Sequence, residues 1–188
     1  MKPLLSILIC SIPSRWEKAK ALYESILSMI GEKEIEVLLF MDNKKRSIGA
    51  KRNAMKSIAN GKYFIFIDDD DSLYSVDELY EAAHSDVDVI TFKVKCLNSD
   101  KSEFVVTYSL GNPIEHNTAH GRYLDCKRPP FSQCAWNEKF KYIDFPDKSY
   151  GEDWGFAEKA NMNATTSRHI DKIIVGYNFD PKISEASL

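Results

Sequence analysis

The chain has 188 residues, 44% of them hydrophobic and 28% charged, an ordinary globular mix long enough for one domain with a real core. A formal charge of −3 argues against a dedicated nucleic-acid binder, and no stretch approaches the ~18 apolar residues of a membrane span. Cys10, Cys96, Cys126 and Cys134 form no C-x-x-C pair, which argues against a zinc or thioredoxin-like site and fits free thiols in a reducing, cytoplasmic setting.

The opening "MKPLLSILIC" imitates a signal peptide, but the apolar run is short, Pro13 cuts it and no small-residue cleavage site follows. "LLSILICS" reads instead as a strand buried on both faces of a parallel sheet. Ser14 and Glu17 have capping-box spacing before a helix that Gly31 closes. "IEVLLFMD" is a second strand, "SIGAKRNAMKSIANG" a helix capped by Ser47, and "KYFIFIDD" a third strand. Ser75 and Glu78 make a second capping box before "VDELYEAAH". This βαβαβα order with short connections predicts an α/β fold with a mainly parallel sheet flanked by helices. "DVDVITFKVKCL" and "EFVVTYSL" alternate with period two around "NSDKS" and predict a β-hairpin. Residues 111–150 read as irregular, "EDWGFAEKANM" as a short helix behind Gly151, and "KIIVGYNF" as a last strand. The expected organisation is one domain over 1–188, with residues 1–98 and 99–188 as its two halves.

In open α/β sheets ligands bind beyond the carboxyl ends of the strands. Ser11, Asp42 and the run Asp68, Asp69, Asp70 and Asp71 all fall at such ends. Crowded carboxylates disfavour one another's ionisation, and a helix cap needs only one or two acids, so the run implies a bound cation. Strand alternation would aim Asp68 and Asp70 to one side, as hard oxygen ligands for Mg²⁺ or Mn²⁺. From Lys44 to Lys62 there are seven Lys or Arg and no acid. Such a block suits a phosphate or diphosphate, though a solvated face reads the same way. Glu152 and Asp153 sit where a helix dipole favours anions. The neighbouring Tyr150, Trp154 and Phe156 suit a sugar site or a core equally. His84, His116 and His120 read as surface or structural residues, and His169 is kept as a candidate metal or phosphate ligand because it precedes the last strand.

Together these segments resemble the family 2 glycosyltransferases of the GT-A fold. "LLSILICSIPSR" is similar to the opening strand and nucleotide loop, "EVLLFMDN" to the second strand with its terminal acid, "IGAKRNAMKSIANGKYFIFIDDDD" to the stretch ending in the D-x-D, and "YGEDWGFAEKA" to the segment carrying the base. The resemblance implies Asp70 and Asp68 as metal ligands for Mn²⁺ or Mg²⁺. It places Ser11, Pro13, Arg15, Asp42, Lys51, Arg52, Asp68 and Asp69 around the nucleotide sugar, Glu152, Trp154 and Asp71 on the acceptor and sugar side, and Asp153 as catalytic base. It implies an inverting transfer of one sugar, from a nucleotide-diphosphate donor with UDP favoured, to a hydroxyl on a glycan, lipid-linked sugar, protein or modified DNA base. Residues 111–150 match no family pattern and should choose the acceptor.

Two other readings stand beside this one. "FIFIDDDDSL" also resembles the D-x-D motif of haloacid-dehalogenase-type phosphatases, with Asp68 as nucleophile, Asp70 as acid and Thr91 at a strand end as a further element; Ser72 departs from that pattern. The other is a nucleotide-sugar-binding module without turnover.

Overall fold

The computed structural model describes residues 2–98, 100–115, 118–119 and 122–178; His116 and His120 lie outside them. The opening run forms β1 (Leu5–Ser11), buried along its whole length as a central parallel strand requires. It is followed by α1 (Trp16–Ile30), β2 (Ile35–Met41), α2 (Ile48–Ile58) and β3 (Tyr63–Phe66). β1 pairs in parallel with β2 on one side and β3 on the other. α1 buries Ala19, Leu22, Ile26 and Ile30, the helical stripe expected from spacing, and ends at Gly31 with φ 58°. Ser47 caps α2, accepting from the Ala50 amide at 3.0 Å.

Neither capping box forms as expected. Pro13 starts a 3₁₀ turn at Pro13–Arg15, so Ser14 is already inside the winding chain and α1 begins without a side-chain cap. A two-residue β4 (Ser72–Leu73) precedes α3 (Asp77–Ala83). There the Ser75 hydroxyl donates to the Glu78 carboxylate itself and accepts from the Asp77 amide at 3.3 Å.

The second half completes the same sheet. β5 (Val89–Leu97) and β6 (Glu103–Tyr108) make the expected antiparallel hairpin. Residues 111–150 are more regular than expected. A small pair, β7 (Thr118–Ala119) and β8 (Arg122–Tyr123), precedes β9 (Asp125–Arg128), which lies parallel to β6. β10 (Ala135–Asn137) runs antiparallel between β3 and β5 and joins the halves. It is too short to show a period, but its Trp136 is fully buried. α4 (Glu152–Asn163) starts behind Gly151, φ 69°. β11 (Ser167–Asn178) begins earlier than expected and pairs in parallel with β5 through two register shifts, with β4 antiparallel on its far side. The longest ladders are therefore parallel, as the βαβ pattern implied.

α2 steers the chain into α4. The segment ahead of α4 lies antiparallel along one face of α2 and is tied to it almost every turn. Lys141 Nζ donates to the Ala59 carbonyl at 2.5 Å, and Lys56 Nζ to the Ile143 carbonyl. Asn53 exchanges two bonds with the Phe145 backbone, at 2.8 and 2.9 Å. The Gly49 amide reaches the Lys148 carbonyl at 3.1 Å, and Ser47 Oγ the Asp147 carboxylate at 2.5 Å. A Cβ on Gly49 would overlap the Pro146 carbonyl oxygen, and one on Gly155 in α4 would press on the Pro146 ring, so both glycines permit the close approach. Phe156 closes the junction from the other side. It stacks on Phe145 at 4.4 Å and meets Trp136 and Phe64 edge-on at 5.7 and 6.4 Å. Its ring is core rather than site.

Asp88 at the foot of β5 fixes the exit of α4. One oxygen accepts from the Thr165 and Thr166 amides at 2.6 and 3.0 Å, the other from Lys139. Burial alone would raise its pKa, but Lys139 and the two amides outweigh burial and hold it well below the usual carboxylate range. A folded-state pKa below the unfolded value adds stability that is present above pH ~4 and lost as pH falls through the folded value. Asp88→Asn is expected to cost about 2 kcal/mol at pH 7 in urea unfolding, with the gap to wild type narrowing below pH ~4.

Candidate active site

Because β1, β2 and β3 are parallel, their carboxyl ends share one edge of the sheet. Ser11 closes β1, Asp42 follows β2 and the aspartates follow β3. Leu8 is level with Phe66, so three residues further on Ser11 meets Asp69, and its hydroxyl donates to Asp69 at 2.5 Å. β3 has ended by then. Asp68 to Asp71 form a turn closed by the Asp71 amide on the Asp68 carbonyl at 3.0 Å, so strand alternation does not apply and the four carboxylates differ in surroundings.

Their partners differ, except that Asp69 and Asp70 share Arg15. Asp68, the most exposed, accepts from Arg52 Nη2 at 2.9 Å. Arg15 Nη2 lies 2.5 Å from Asp69 and 2.6 Å from Asp70. Asp71 turns inward, takes the Asn178 amide at 3.0 Å and lies 3.4 Å from Gln133 Nε2. Burial drives Asp69 up to about 6 against the pull of Ser11 and Arg15, and drives Asp71 well above the usual range with Asp68 adding repulsion.

The basic run divides. Lys44, Lys45 and Arg46 are exposed, whereas Lys51, Arg52 and Lys56 are buried in α2. Lys51 Nζ sits 3.6 Å from Asp42. Lys56 serves the segment ahead of α4 through the Ile143 carbonyl and lies over the Phe145 and Phe156 rings, at 5.4 and 5.7 Å. Arg52 spans two carboxylates, with Nη1 3.2 Å from Glu152. Burial raises both Glu152 and Asp153, and Arg52 is the first influence opposing it in each. Asp153 Oδ1 accepts from the Trp154 amide at 2.8 Å.

A cavity of about 490 Å³ opens over this edge, within the size range of small-molecule sites. Arg15, Arg52, Asp68, Asp69 and Asp70 line one side; Glu152, Asp153 and Trp154 line another. Asp71, Asp42, Lys51 and Ser11 stand behind or beside that lining rather than in it. Pro13 belongs to the 3₁₀ turn that presents Arg15. The remaining wall was not foreseen as such. Phe104, Val106 and Tyr108 of β6 face the cavity at period two, a signal legible in "EFVVTY". Phe131 stands between Tyr108, stacked at 6.2 Å, and Trp154, edge-on at 5.2 Å, and Arg128 lies 5.8 Å from the Trp154 ring. Asn178 closes the site by donating to the Asp70 carbonyl at 2.7 Å; no local motif announced it.

No family model and no curated protein matches the chain. Solved structures do match in shape. The Staphylococcus aureus TarS 1–349 structure with UDP-GlcNAc superposes with a TM-score of 0.61 at 17% identity, over 100% of this chain and 61% of that one. The UDP complex gives 0.58 at 18% identity over 97% and 62%, and TarS 1–349 without a named ligand 0.59 at 18% over 95% and 60%. The fold is GT-A-like. At this identity the likeness carries the fold alone, and the chain spans about three fifths of the TarS 1–349 structures it matches.

The same geometry speaks to the phosphatase reading. Thr91 is fully buried, bonds to His169 Nδ1 at 3.0 Å and does not line the cavity. His169 is likewise turned to Thr91, and to Asp171 at 4.0 Å, rather than to the aspartates. No helix among the described residues is long and apolar enough to cross a membrane.

Arg15 neutralises two carboxylates with little access to water. Removing it leaves Asp69 buried and uncompensated, so Arg15→Ala should lose about 3–5 kcal/mol in urea unfolding at pH 7. The loss should be smaller at pH 5, where Asp69 is mostly protonated.

Proposed function

We propose that the protein is an inverting glycosyltransferase acting on a nucleotide-diphosphate sugar, with UDP the favoured nucleotide. The observation that carries this is the cavity, where the aspartate turn with its arginines and the carboxylate of Asp153 face one reaction volume from two elements. The likeness to TarS, solved with UDP and with UDP-GlcNAc, supports the choice of donor.

The residues divide the work by position. Ser11, Arg15 and Asp69 brace the turn that receives the diphosphate end of the donor. Asp42, backed by Lys51, stands at the end of β2 where the base and ribose are read. Asp153 is the general base. Burial raises its pKa, and a base works best with a pKa near the working pH. Its Oδ1 is occupied by the Trp154 amide, which leaves Oδ2 to take the acceptor's proton. The acceptor oxygen bonds to the anomeric carbon as the bond from that carbon to the diphosphate oxygen breaks. The configuration inverts, the proton passes to Asp153, and the electron pair leaves on the nucleoside diphosphate. Trp154 and Phe131 offer the apolar surface on which an acceptor rests.

The donor set suits a hard divalent cation. Arg52 takes Oδ1 of Asp68 and Arg15 takes Oδ2 of Asp70, so each of these two cavity-lining carboxylates has a second oxygen outside those ion pairs. No cluster of three or more metal-binding side chains occurs among the described residues. Few protein ligands completed by substrate phosphate is the pattern of Mg²⁺ or Mn²⁺. Held by Asp68 and Asp70, such an ion would supply charge neutralisation for the departing diphosphate.

Calorimetric titration with UDP should give binding that strengthens with Mn²⁺ and is lost in Asp70→Ala. No binding of UDP, GDP, CDP or dTDP under any metal would remove the transferase reading. Asp153→Asn should keep the UDP affinity within about twofold while cutting UDP release from UDP-sugars by roughly 10²–10⁴-fold. Unchanged release would exclude Asp153 as the base.

A further inference from the structure

We infer that Arg52 is a positioning residue that holds the base-bearing end of α4 in register with the aspartate turn, rather than a ligand for the nucleotide. The inference rests on the transferase reading. Both arms of the guanidinium are committed to protein carboxylates: Nη2 to Asp68 at 2.9 Å and Nη1 to Glu152 at 3.2 Å. Asp68 follows β3, Glu152 is the first residue of α4 and Asp153 is the second. One planar group therefore measures the separation between the donor side and the base. Its own position is fixed by Phe66 and Phe145, whose ring centres lie 5.6 and 5.5 Å from the guanidinium carbon. Arg52 and Glu152 are both almost fully buried, so removing either leaves the other's charge poorly compensated.

The geometry also gives Glu152 a purpose. It lines the cavity beside the candidate base, yet its carboxylate is engaged by Arg52. Its side chain anchors the helix start, while Asp153, one residue on, is left to face the reaction. A lysine at position 52 would be a point charge without a fork, able to satisfy one carboxylate at a time. A misplacement of about 1 Å at a reacting group can cost 10²-fold in rate.

The test compares wild type, Arg52→Lys and Glu152→Gln, with UDP affinity by calorimetry and UDP release from a panel of UDP-sugars with Mn²⁺ and water as acceptor. Both variants should keep UDP affinity within about threefold and KM for the donor near wild type, while kcat falls by about 10²-fold. Wild-type kcat in Glu152→Gln would overturn the inference, and so would Arg52→Lys losing UDP affinity at unchanged kcat, the result expected of a nucleotide ligand. If Arg52→Lys does not fold, Glu152→Gln decides alone, since it is isosteric and removes the charge that holds the guanidinium from the other side. Failure of the transferase reading is read separately, from wild type. A wild-type protein that binds UDP and cleaves no UDP-sugar overturns this inference and leaves nucleotide binding standing; one that does neither overturns both.

Discussion

Four adjacent aspartates at one strand end are tolerable only because no two of them share all their surroundings. Asp68 leans on Arg52, Asp69 on Ser11 and Arg15, Asp70 on the same nitrogen of Arg15, and Asp71 on the Asn178 backbone. Without those partners the run would repel itself out of any fixed shape. The partners come from the ends of β1, α2 and β11 and from the turn after β1, so the turn is a meeting point of the sheet rather than a local motif. Burial first, with repulsion from neighbouring aspartates behind it, raises the pKa of Asp69 and of Asp71. On the proposed reading, charge of this kind at a cavity would receive a cation and, through it, an anion.

The second constraint is α2. Gly49, Arg52, Asn53 and Lys56 on its inward face, with Ala59 at its C-cap, all contact the segment at 141–148 or Glu152 through polar groups. Most buried helix faces are apolar; this one is polar because its task is to satisfy the backbone of a strap that belongs to neither helix nor sheet. The strap is thereby ordered without secondary structure of its own, and it delivers α4 with its acidic first turn toward the cavity. The aromatic junction of Phe145, Phe156, Trp136 and Phe64 supplies the apolar burial that keeps the delivery in place.

The first half was legible because its signals are local. Continuous apolar runs marked buried parallel strands, Ser47 and Gly31 marked helix ends, and the strand-end rule gathered Ser11, Asp42 and the aspartates before any coordinates. The second half was less so. β10 has only three residues and owes its place to pairing with β3 and β5, partners distant in sequence. The 141–148 strap looks like a loop because its hydrogen bonds go to side chains of α2. The cations of α2 were misleading for the same reason: a one-sign block reads as a phosphate site or a solvated face, and nothing local says that Lys56 and Arg52 point into the protein.

By itself, then, the sequence determined the alternating frame, the edge where chemistry collects and the carboxylates that collect there, since each follows from hydropathy period, capping or strand ends within a few residues. Only the tertiary structure decided which carboxylates are taken up by partners distant in sequence. Asp71 and Glu152 are as acidic in sequence as Asp70 and Asp153. What separates them is long-range: the Asn178 amide that ends β11 holds Asp71, and a guanidinium a hundred residues away from Glu152 holds that side chain. Such pairings depend on how strands and helices pack across the whole domain, and a linear pattern carries no trace of them.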